Sequence, residues 1–425
     1  MSFVSIIIFL TSIIVVVFSY ILFFKSNNRL LKAALFFVIV FLLLLGFTLY
    51  NGIIELSKIK DYSNLGSSGD YIGGLLNPLI AVFAVFAAGF AFYAQYDANK
   101  LVQEQFTLQQ FESQFYEMLH LHRENLNEMI IEGYSFEYID DDKSKEGDPK
   151  SKKEKITSGK KVFVTMLKEF EALYFISEKI FFSYYKNQPE KISILESNTG
   201  SQLIFGSAYS CFFNGATLCK KTMKKHLKED NTGLLCEGLI DKLIKELKAK
   251  RDGHTKGIKK ITGYSLIKGL KTNKKIKNEL MLSFNFKPFT GHQSILAHYY
   301  RHLFQTVKFV VKQNESIVSY ESKRDYLRIL RSMMSNHEQI LLYYNWIAGF
   351  GDAWEEKIIE NRKEKKGNFF LTDYRMVHNI PDEMILDDFK LNNIFTDEYL
   401  YFRYEKNRKT KDSLFELINL TSRSL

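Results

Sequence analysis

An arginine and a histidine, residue types that can stabilise negative charge and move protons, lie close together in LRSMMSNHEQILLYYNW, residues 330–346. Five residues separate Arg331 from His337. An imidazole exchanges protons near neutral pH, and a guanidinium stabilises the negative charge that grows on a phosphate group in a transition state. We therefore take Arg331 and His337 as candidate catalytic residues.

A second polar group occurs in GHQSILAHYYRHLFQTVKFVV, residues 291–311. His298, Arg301 and His302 lie within one helical turn between apolar residues, so they share one face of a helix. A charge that is buried without a partner costs on the order of several kcal/mol. We therefore expect the two stretches to meet in one polar cluster, with Glu338 as the counter-ion.

A structural role explains the same residues. Glu338 could pair with Arg331 or with Arg301 and thereby fix the packing of two helices. Ser335 precedes Glu338 by three residues, which is the spacing of a capping box at the start of a helix. The sequence leaves the catalytic and the structural interpretation open.

Signatures of common enzymes are absent from the sequence. It contains no G-x-x-x-x-G-K-[ST] phosphate loop and no G-x-G-x-x-G, H-E-x-x-H, G-x-S-x-G or CxxC motif. His120 and His122 are two residues apart and lie on different faces of a helix, so they form a poor metal pair. We expect no metal and no cofactor. The three cysteines lack the even number and the short spacings of a disulfide framework, which agrees with a reducing compartment.

The chain before these clusters begins with apolar segments that are long enough to cross a bilayer. Residues 2–24, 33–54 and 72–96 contain no Asp, Glu, Lys or Arg. About 20 apolar residues in a helix span the hydrocarbon core of a membrane. We predict an anchor of three transmembrane helices within residues 1–97. The alternative for the third segment is a buried helix of the folded domain.

The charges of the loops between these segments predict the topology. Lys25, Arg29 and Lys32 lie between the first two segments without an acid, whereas residues 55–70 carry three acids against two lysines. The positive-inside rule places the first loop in the cytoplasm. Three crossings then place the remainder of the chain in the cytoplasm as well. We predict a multi-pass protein of a bacterial inner membrane with a cytoplasmic C-terminal domain.

A helical stalk is expected after the third segment, over residues 98–135. Apolar side chains and one histidine recur there at intervals of seven residues, at Leu101, Leu108, Phe115, His122 and Met129. This spacing is typical of a helix in a coiled coil or bundle. The stalk is expected to pack against the rest of the domain or against a second copy of the chain.

The remainder of the chain is expected to be helical. Residues 136–158 are charged and include Gly147 and Pro149, which predicts a polar linker. Helical periodicity resumes in residues 159–425, where strand-like alternation is scarce. The predicted fold is all-α, with transmembrane helices that continue into a stalk helix and a mainly helical cytoplasmic domain.

Four stretches in this order resemble the family of putative phage abortive-infection proteins of bacterial membranes. They are GDYIGGLLNPLIAVFAVFAAGFAFYAQ, QFESQFYEMLHLHRENLNEM, GHQSILAHYYRHLFQTVKFV and LRSMMSNHEQILLYYNW. The resemblance implies an effector of phage defence that senses infection and is toxic to the infected cell. Its expected partners are the lipid bilayer, a phage component as trigger, and a second copy of the chain in a homo-oligomer.

The spacing of Arg331 and His337 is also similar to that in ribonucleases of the HEPN type, which are all-helical. That resemblance implies a membrane-tethered, metal-independent ribonuclease with RNA as its substrate. His337 would act as general acid or base on the ribose 2′-hydroxyl. A third interpretation is a membrane-bound sensor or scaffold without enzymatic activity.

Overall fold

The chain forms two compact units, Met1–Gln109 and Gln110–Leu425. The computed structural model describes residues 29–57, 65–137, 151–255, 284, 286–355 and 368–395. The described part of the first unit is helical, and that of the second unit adds one β-hairpin to a group of helices.

Two helices, α1 over Arg29–Ser57 and α2 over Leu65–Glu128, contain the apolar segments of the described chain. Among the described residues, one helix, Leu76–Glu128, is long and apolar enough to cross a membrane on grounds of length and composition. The apolar part of α1, Phe36–Gly52, is shorter. The anchor of three helices therefore stays a prediction, and its first segment, 2–24, lies outside the described residues.

Phenylalanine rings hold α1 against α2. Phe37 stacks on Phe86 with ring centroids 4.8 Å apart, and the ring of Phe41 lies 4.1 Å from that of Phe83. The contacts run in opposite directions along the two helices, so α1 and α2 are antiparallel. Many other large apolar side chains are exposed, among them Phe36, Leu43, Phe47, Val85 and Phe92.

The last turns of α2 belong to the core of the second unit. Phe115 and His122 are fully buried there. Phe111 is also buried and stacks on Phe309 with ring centroids 5.4 Å apart. Leu101, in contrast, is 57% exposed. The stripe with seven-residue spacing therefore packs against its own domain from Phe115 onward, together with the neighbouring Phe111.

A β-hairpin stands where the end of the stalk and the linker were expected. Strand β1 covers Ile130–Glu137 and pairs antiparallel with β2 over Ser151–Ser158. The helix thus ends at Glu128 instead of residue 135, and the last eight residues of the expected linker form a strand. Isoleucine and aromatic residues favour β1, whereas the lysine-rich β2 is held mainly by the hydrogen bonds of its partner strand.

Helices make up most of the rest of the described second unit. Their bounds are α3 Lys161–Tyr184, α4 Pro189–Leu195, α5 Asn198–Glu229, α6 Glu237–Thr255, α7 Gln293–Val311, α8 Tyr320–Met333, α9 Asn336–Ile347 and α10 Leu391–Ile394. Two 3-10 turns, Asp382–Met384 and Asp387–Phe389, precede α10. The prediction of a mostly helical chain is thereby confirmed for the described residues.

Aromatic side chains fill the contact between α3, α5 and α9. The ring of Phe170 on α3 lies 5.1 Å from Phe205 and 5.6 Å from Tyr209, both on α5. The Phe170 ring also lies 5.1 Å from that of Tyr344 on α9. All four side chains are fully buried. Burial of rings of this size is a large stabilising contribution, so α9 is held firmly against the rest of the core.

Candidate functional site

A buried hydrogen-bonded group forms where α7 meets α9. The hydroxyl of Tyr299 donates to Oε2 of Glu338 at 2.8 Å. The other carboxylate oxygen of Glu338 accepts hydrogen bonds from the backbone N–H of Ser335 at 3.0 Å and from its hydroxyl at 2.7 Å. The Ser335 hydroxyl also accepts the backbone N–H of Glu338, which completes a capping box at the start of α9. The expected capping box is therefore confirmed, and it orients Glu338 toward Tyr299.

The imidazole of His122 lies beside this group without a hydrogen-bond partner. His122 is fully buried, and neither of its ring nitrogens is bonded. Its ring centroid is 5.4 Å from that of Tyr299. Burial and then the positive charges of His302 and Lys160 lower the pKa of His122 to about 4. The ring is thus neutral at physiological pH, and its unsatisfied nitrogens cost free energy.

His302 and Lys160 complete the surroundings of His122. Nε2 of the half-buried His302 lies 3.0 Å from the carbonyl oxygen of Met118, one helical turn before His122. The His122 and His302 rings are 6.1 Å apart and nearly parallel. Lys160 donates to the carbonyl oxygen of Met333 at 2.6 Å. We use the name Tyr299 cluster for His122, Tyr299, His302, Ser335 and Glu338.

Arg331 and His337 lie on either side of the break between α8 and α9. Arg331 is buried, and its guanidinium donates to the carbonyl oxygen of Arg375 at 2.7 Å. His337 is half-buried, and burial followed by the charge of Lys168 lowers its pKa. This buried hydrogen bond stabilises the backbone conformation at Arg375. A catalytic role for Arg331 and His337 stays a prediction.

The two polar stretches meet through a tyrosine instead of an arginine. Glu338 takes its hydrogen bonds from Ser335 and Tyr299. Arg301 and His298 are exposed on α7, because Tyr299 occupies the face of that helix that points to the core. Of the candidate residues on α7, His302 is therefore the one that joins the cluster.

A second buried polar contact joins α3 to the residues before α7. Oε2 of Glu169 lies 2.7 Å from Nε2 of His292, and Oε1 accepts the backbone N–H of Phe289 at 2.5 Å. Glu169 and His292 are both buried. A buried carboxylate is tolerated when it has partners of this kind. The Glu169–His292 pair thus ties the start of α7 to the core.

The segment that ends in His292 rests on a kink in α5. Gly215 has a φ of 78° inside that helix, and the backbone N–H of Ala216 donates to the Phe289 carbonyl oxygen at 3.0 Å. A Cβ atom on Gly215 would collide with the backbone of Thr290. The positive φ and the close approach both require glycine at this position.

The helices α7, α8 and α9 lie in a segment that matches a known protein family. Residues 291–385 fit the family model described as putative phage abortive infection protein. The family resemblance is confirmed. Two of the four similar stretches, those at 291–310 and 330–346, lie inside this family-matched segment. No curated protein and no solved structure matches the chain.

The family-matched segment supplies both partners of the Tyr299–Glu338 bond and one partner of the Glu169–His292 contact. Tyr299 and His292 lie within it, whereas His122 and Glu169 come from elsewhere in the chain. His122 occupies an otherwise apolar position of the seven-residue stripe, which was a signal of its burial. Glu169 follows Lys168 in α3, and no comparable signal in the sequence indicated its burial or its partner. In the described residues, no group of three or more His, Cys, Asp or Glu side chains could hold a metal.

Proposed function

We propose that the protein is a membrane-anchored effector of abortive infection, which senses a phage component in the cytoplasm and then damages the membrane of the infected cell or arrests its growth. The observation that carries the proposal is the family match over 291–385. The matched segment contains α7, α8 and α9 and contributes Tyr299 and Glu338 to the buried cluster.

The outward surface of α1 and α2 supports membrane anchoring. Phe47 is 65% exposed and Phe92 is 73% exposed, together with many other large apolar side chains. Contiguous apolar surface of this extent is rare on soluble proteins and common on lipid-facing helices. We retain three crossings, an inner-membrane location and a cytoplasmic C-terminal domain as parts of the proposal.

The Tyr299 cluster supports a sensing role for the domain. His122 is held in the core by packing, although both of its ring nitrogens are unsatisfied. A conformation in which His122 gains a partner would recover part of that cost, so a trigger can favour it with little binding energy. His122 belongs to the same helix, α2, as the apolar segment. We propose that the trigger alters the packing of these last turns of α2 against α7.

Two alternatives remain from the sequence. A tethered ribonuclease would use Arg331 and His337 on RNA, and a sensor or scaffold would have no toxicity of its own. The bond of Arg331 to the Arg375 carbonyl favours a structural role for that arginine over contact with a substrate. The ribonuclease is therefore the second choice.

Phage plating on cells that express the protein tests the proposal. We expect fewer plaques with at least one phage of a broad panel, death or growth arrest of the infected cells, and recovery of the protein in the membrane fraction. Glu338→Ala should abolish protection, because Ser335 and Tyr299 lose their shared acceptor. Glu190→Ala, at an exposed position on α4, is the matched control. Normal plating of every phage on cells that contain the folded protein would contradict the proposal.

A further inference from the structure

Two buried cysteines face each other across the kink in α5. Cys211 and Cys219 are fully buried, and their sulfur atoms lie 3.1 Å apart. In an unbroken helix, residues eight positions apart are separated by roughly 12 Å along the axis. The sulfur contact therefore depends on the change of direction at Gly215.

The geometry of this pair is close to that of a bonded pair. A disulfide bond is about 2.05 Å long, so the sulfur atoms need to approach by roughly 1 Å. The thioether sulfur of Met223 lies 4.0 Å from Cys211 Sγ. The third cysteine, Cys236, is elsewhere and has its sulfur 3.4 Å from the Tyr184 hydroxyl.

We propose that Cys211 and Cys219 form a redox-active dithiol, which closes to a disulfide across Gly215 when a small oxidant of the peroxide class reaches it. This inference does not depend on the proposed function. Both thiols are buried, so larger oxidants are excluded.

The two thiols have different roles in this reaction. The hydrogen bond from Cys211 lowers the pKa of the Cys219 thiol, and donating that bond raises the pKa of Cys211, as does burial. The Cys219 thiol gives up its proton, its thiolate attacks one peroxide oxygen, and the O–O bond breaks to leave a sulfenic acid. The departing hydroxide takes up the proton from Cys219 and leaves as water. The Cys211 sulfur then attacks the Cys219 sulfur, the S–O bond breaks, and the Cys211 proton leaves with the hydroxide as water. Two electrons pass from the thiols to the peroxide.

The disulfide would fix the part of α5 that supports the start of the family-matched segment. The closed ring contains Gly215, and the neighbouring Ala216 donates to the Phe289 carbonyl oxygen. Cross-linking this ring restricts the unfolded chain, so oxidation should raise the Tm by a few degrees. Oxidation thus stabilises the part of α5 that contacts the segment ending in His292.

Mass spectrometry of the full-length protein in detergent micelles tests the proposal. One sample is treated with hydrogen peroxide and one with dithiothreitol, and both are then denatured, alkylated with N-ethylmaleimide and digested with trypsin. The peptide 192–220 contains both Cys211 and Cys219, whereas Cys236 falls in another peptide. After peroxide, peptide 192–220 should carry no alkyl label and should lack two hydrogen atoms. After dithiothreitol, it should carry a label on each cysteine.

Single variants separate the two steps. Cys211→Ser should leave a sulfenic acid on Cys219 that dimedone labels, and Cys219→Ser should leave Cys211 unoxidised. The proposal is wrong if wild-type peptide 192–220 still carries both alkyl labels under conditions that fully oxidise an added peptide with one exposed cysteine. Because the wild-type chain gives this decisive result, a variant that fails to fold does not affect the test.

Discussion

Among the described residues of the second unit, two imidazoles are buried, and their surroundings differ. His292 bonds the Glu169 carboxylate at 2.7 Å, whereas neither nitrogen of His122 has a partner. A buried polar group that lacks its hydrogen bond costs about 1–3 kcal/mol. His292 therefore secures the start of the family-matched segment, whereas His122 lies in the core at a cost in free energy. Under the proposed function, His292 supports the structure and His122 takes part in sensing.

The largest loss of stability is expected when the Glu169–His292 pair is removed. Glu169→Ala should lower the free energy of unfolding by about 3–5 kcal/mol, because His292 and the Phe289 N–H lose their buried acceptor. Chemical unfolding of the purified chain measures the effect. Glu190→Ala, on the surface of α4, should stay within about 0.5 kcal/mol of wild type. Equal stability of the two variants would show that the Glu169–His292 pair contributes nothing.

The burial of His122 should make the stability of the protein depend on pH. The pKa of His122 is lowered from 6.5 to about 4 in the folded chain. Above pH 6.5 the ring is neutral in both states. As the pH falls toward 4, the unfolded chain takes up a proton that the folded chain does not, so stability is lost, by about 3 kcal/mol in total.

A matched pair of variants isolates that loss. His122→Leu should be more stable than wild type at neutral pH and should lack this part of the loss in acid. His120→Leu should keep it, because His120 is exposed and pairs with Glu124 on the surface. Unfolding curves across this pH range provide the measurement. Identical pH profiles for His122→Leu and wild type would show that His122 does not cause the loss of stability in acid.

The kink that supports the His292 site should tolerate no side chain. Gly215→Ala should destabilise the protein by about 1–3 kcal/mol, since alanine is strained at a positive φ and its Cβ meets the Thr290 backbone. Gly206, on the same helix, has open space within 4 Å of the point where a Cβ would lie, so Gly206→Ala should add about 0.5–1 kcal/mol. Thermal unfolding of both variants compares the positions. A more stable Gly215→Ala protein would contradict the described kink.

The smallest effect is expected at the candidate catalytic histidine. His337→Ala should change stability by no more than about 0.5 kcal/mol, because the side chain is half-buried and lies outside the bonds that hold Glu338. It should also keep full phage defence under the proposed function. Folded His337→Ala protein that no longer protects cells would shift the account toward the ribonuclease.

Local patterns in the sequence were sufficient to locate most of the helices. The helical periodicity noted in residues 159–425 is found in α3, α6 and α7, and the spacing of Ser335 and Glu338 predicted the cap of α9. The strand β2 was not predicted, because a lysine-rich strand depends on a partner that is distant in sequence. The three transmembrane crossings stay a prediction.

The candidate site was predicted only in part, because its bonds depend on which helix faces meet. Sequence reasoning expected the two stretches to meet and considered Arg331 or Arg301 as the partner of Glu338, whereas the Tyr299 hydroxyl bonds it. In the sequence, a tyrosine in an apolar helix cannot be distinguished from an ordinary core residue, because the acceptor of its hydroxyl comes from another helix. The Glu169–His292 contact also joins residues far apart in sequence, and only tertiary packing shows it.

The central claim is that the protein acts at the membrane during infection. Its most direct test follows membrane potential and total RNA integrity together in cells that express the wild-type chain or His337→Ala, with and without phage. The account predicts that the membrane potential falls in infected cells of both strains while RNA stays intact, and that uninfected cells are unaffected. RNA cleavage that precedes any change in potential, and that disappears in His337→Ala, would contradict it.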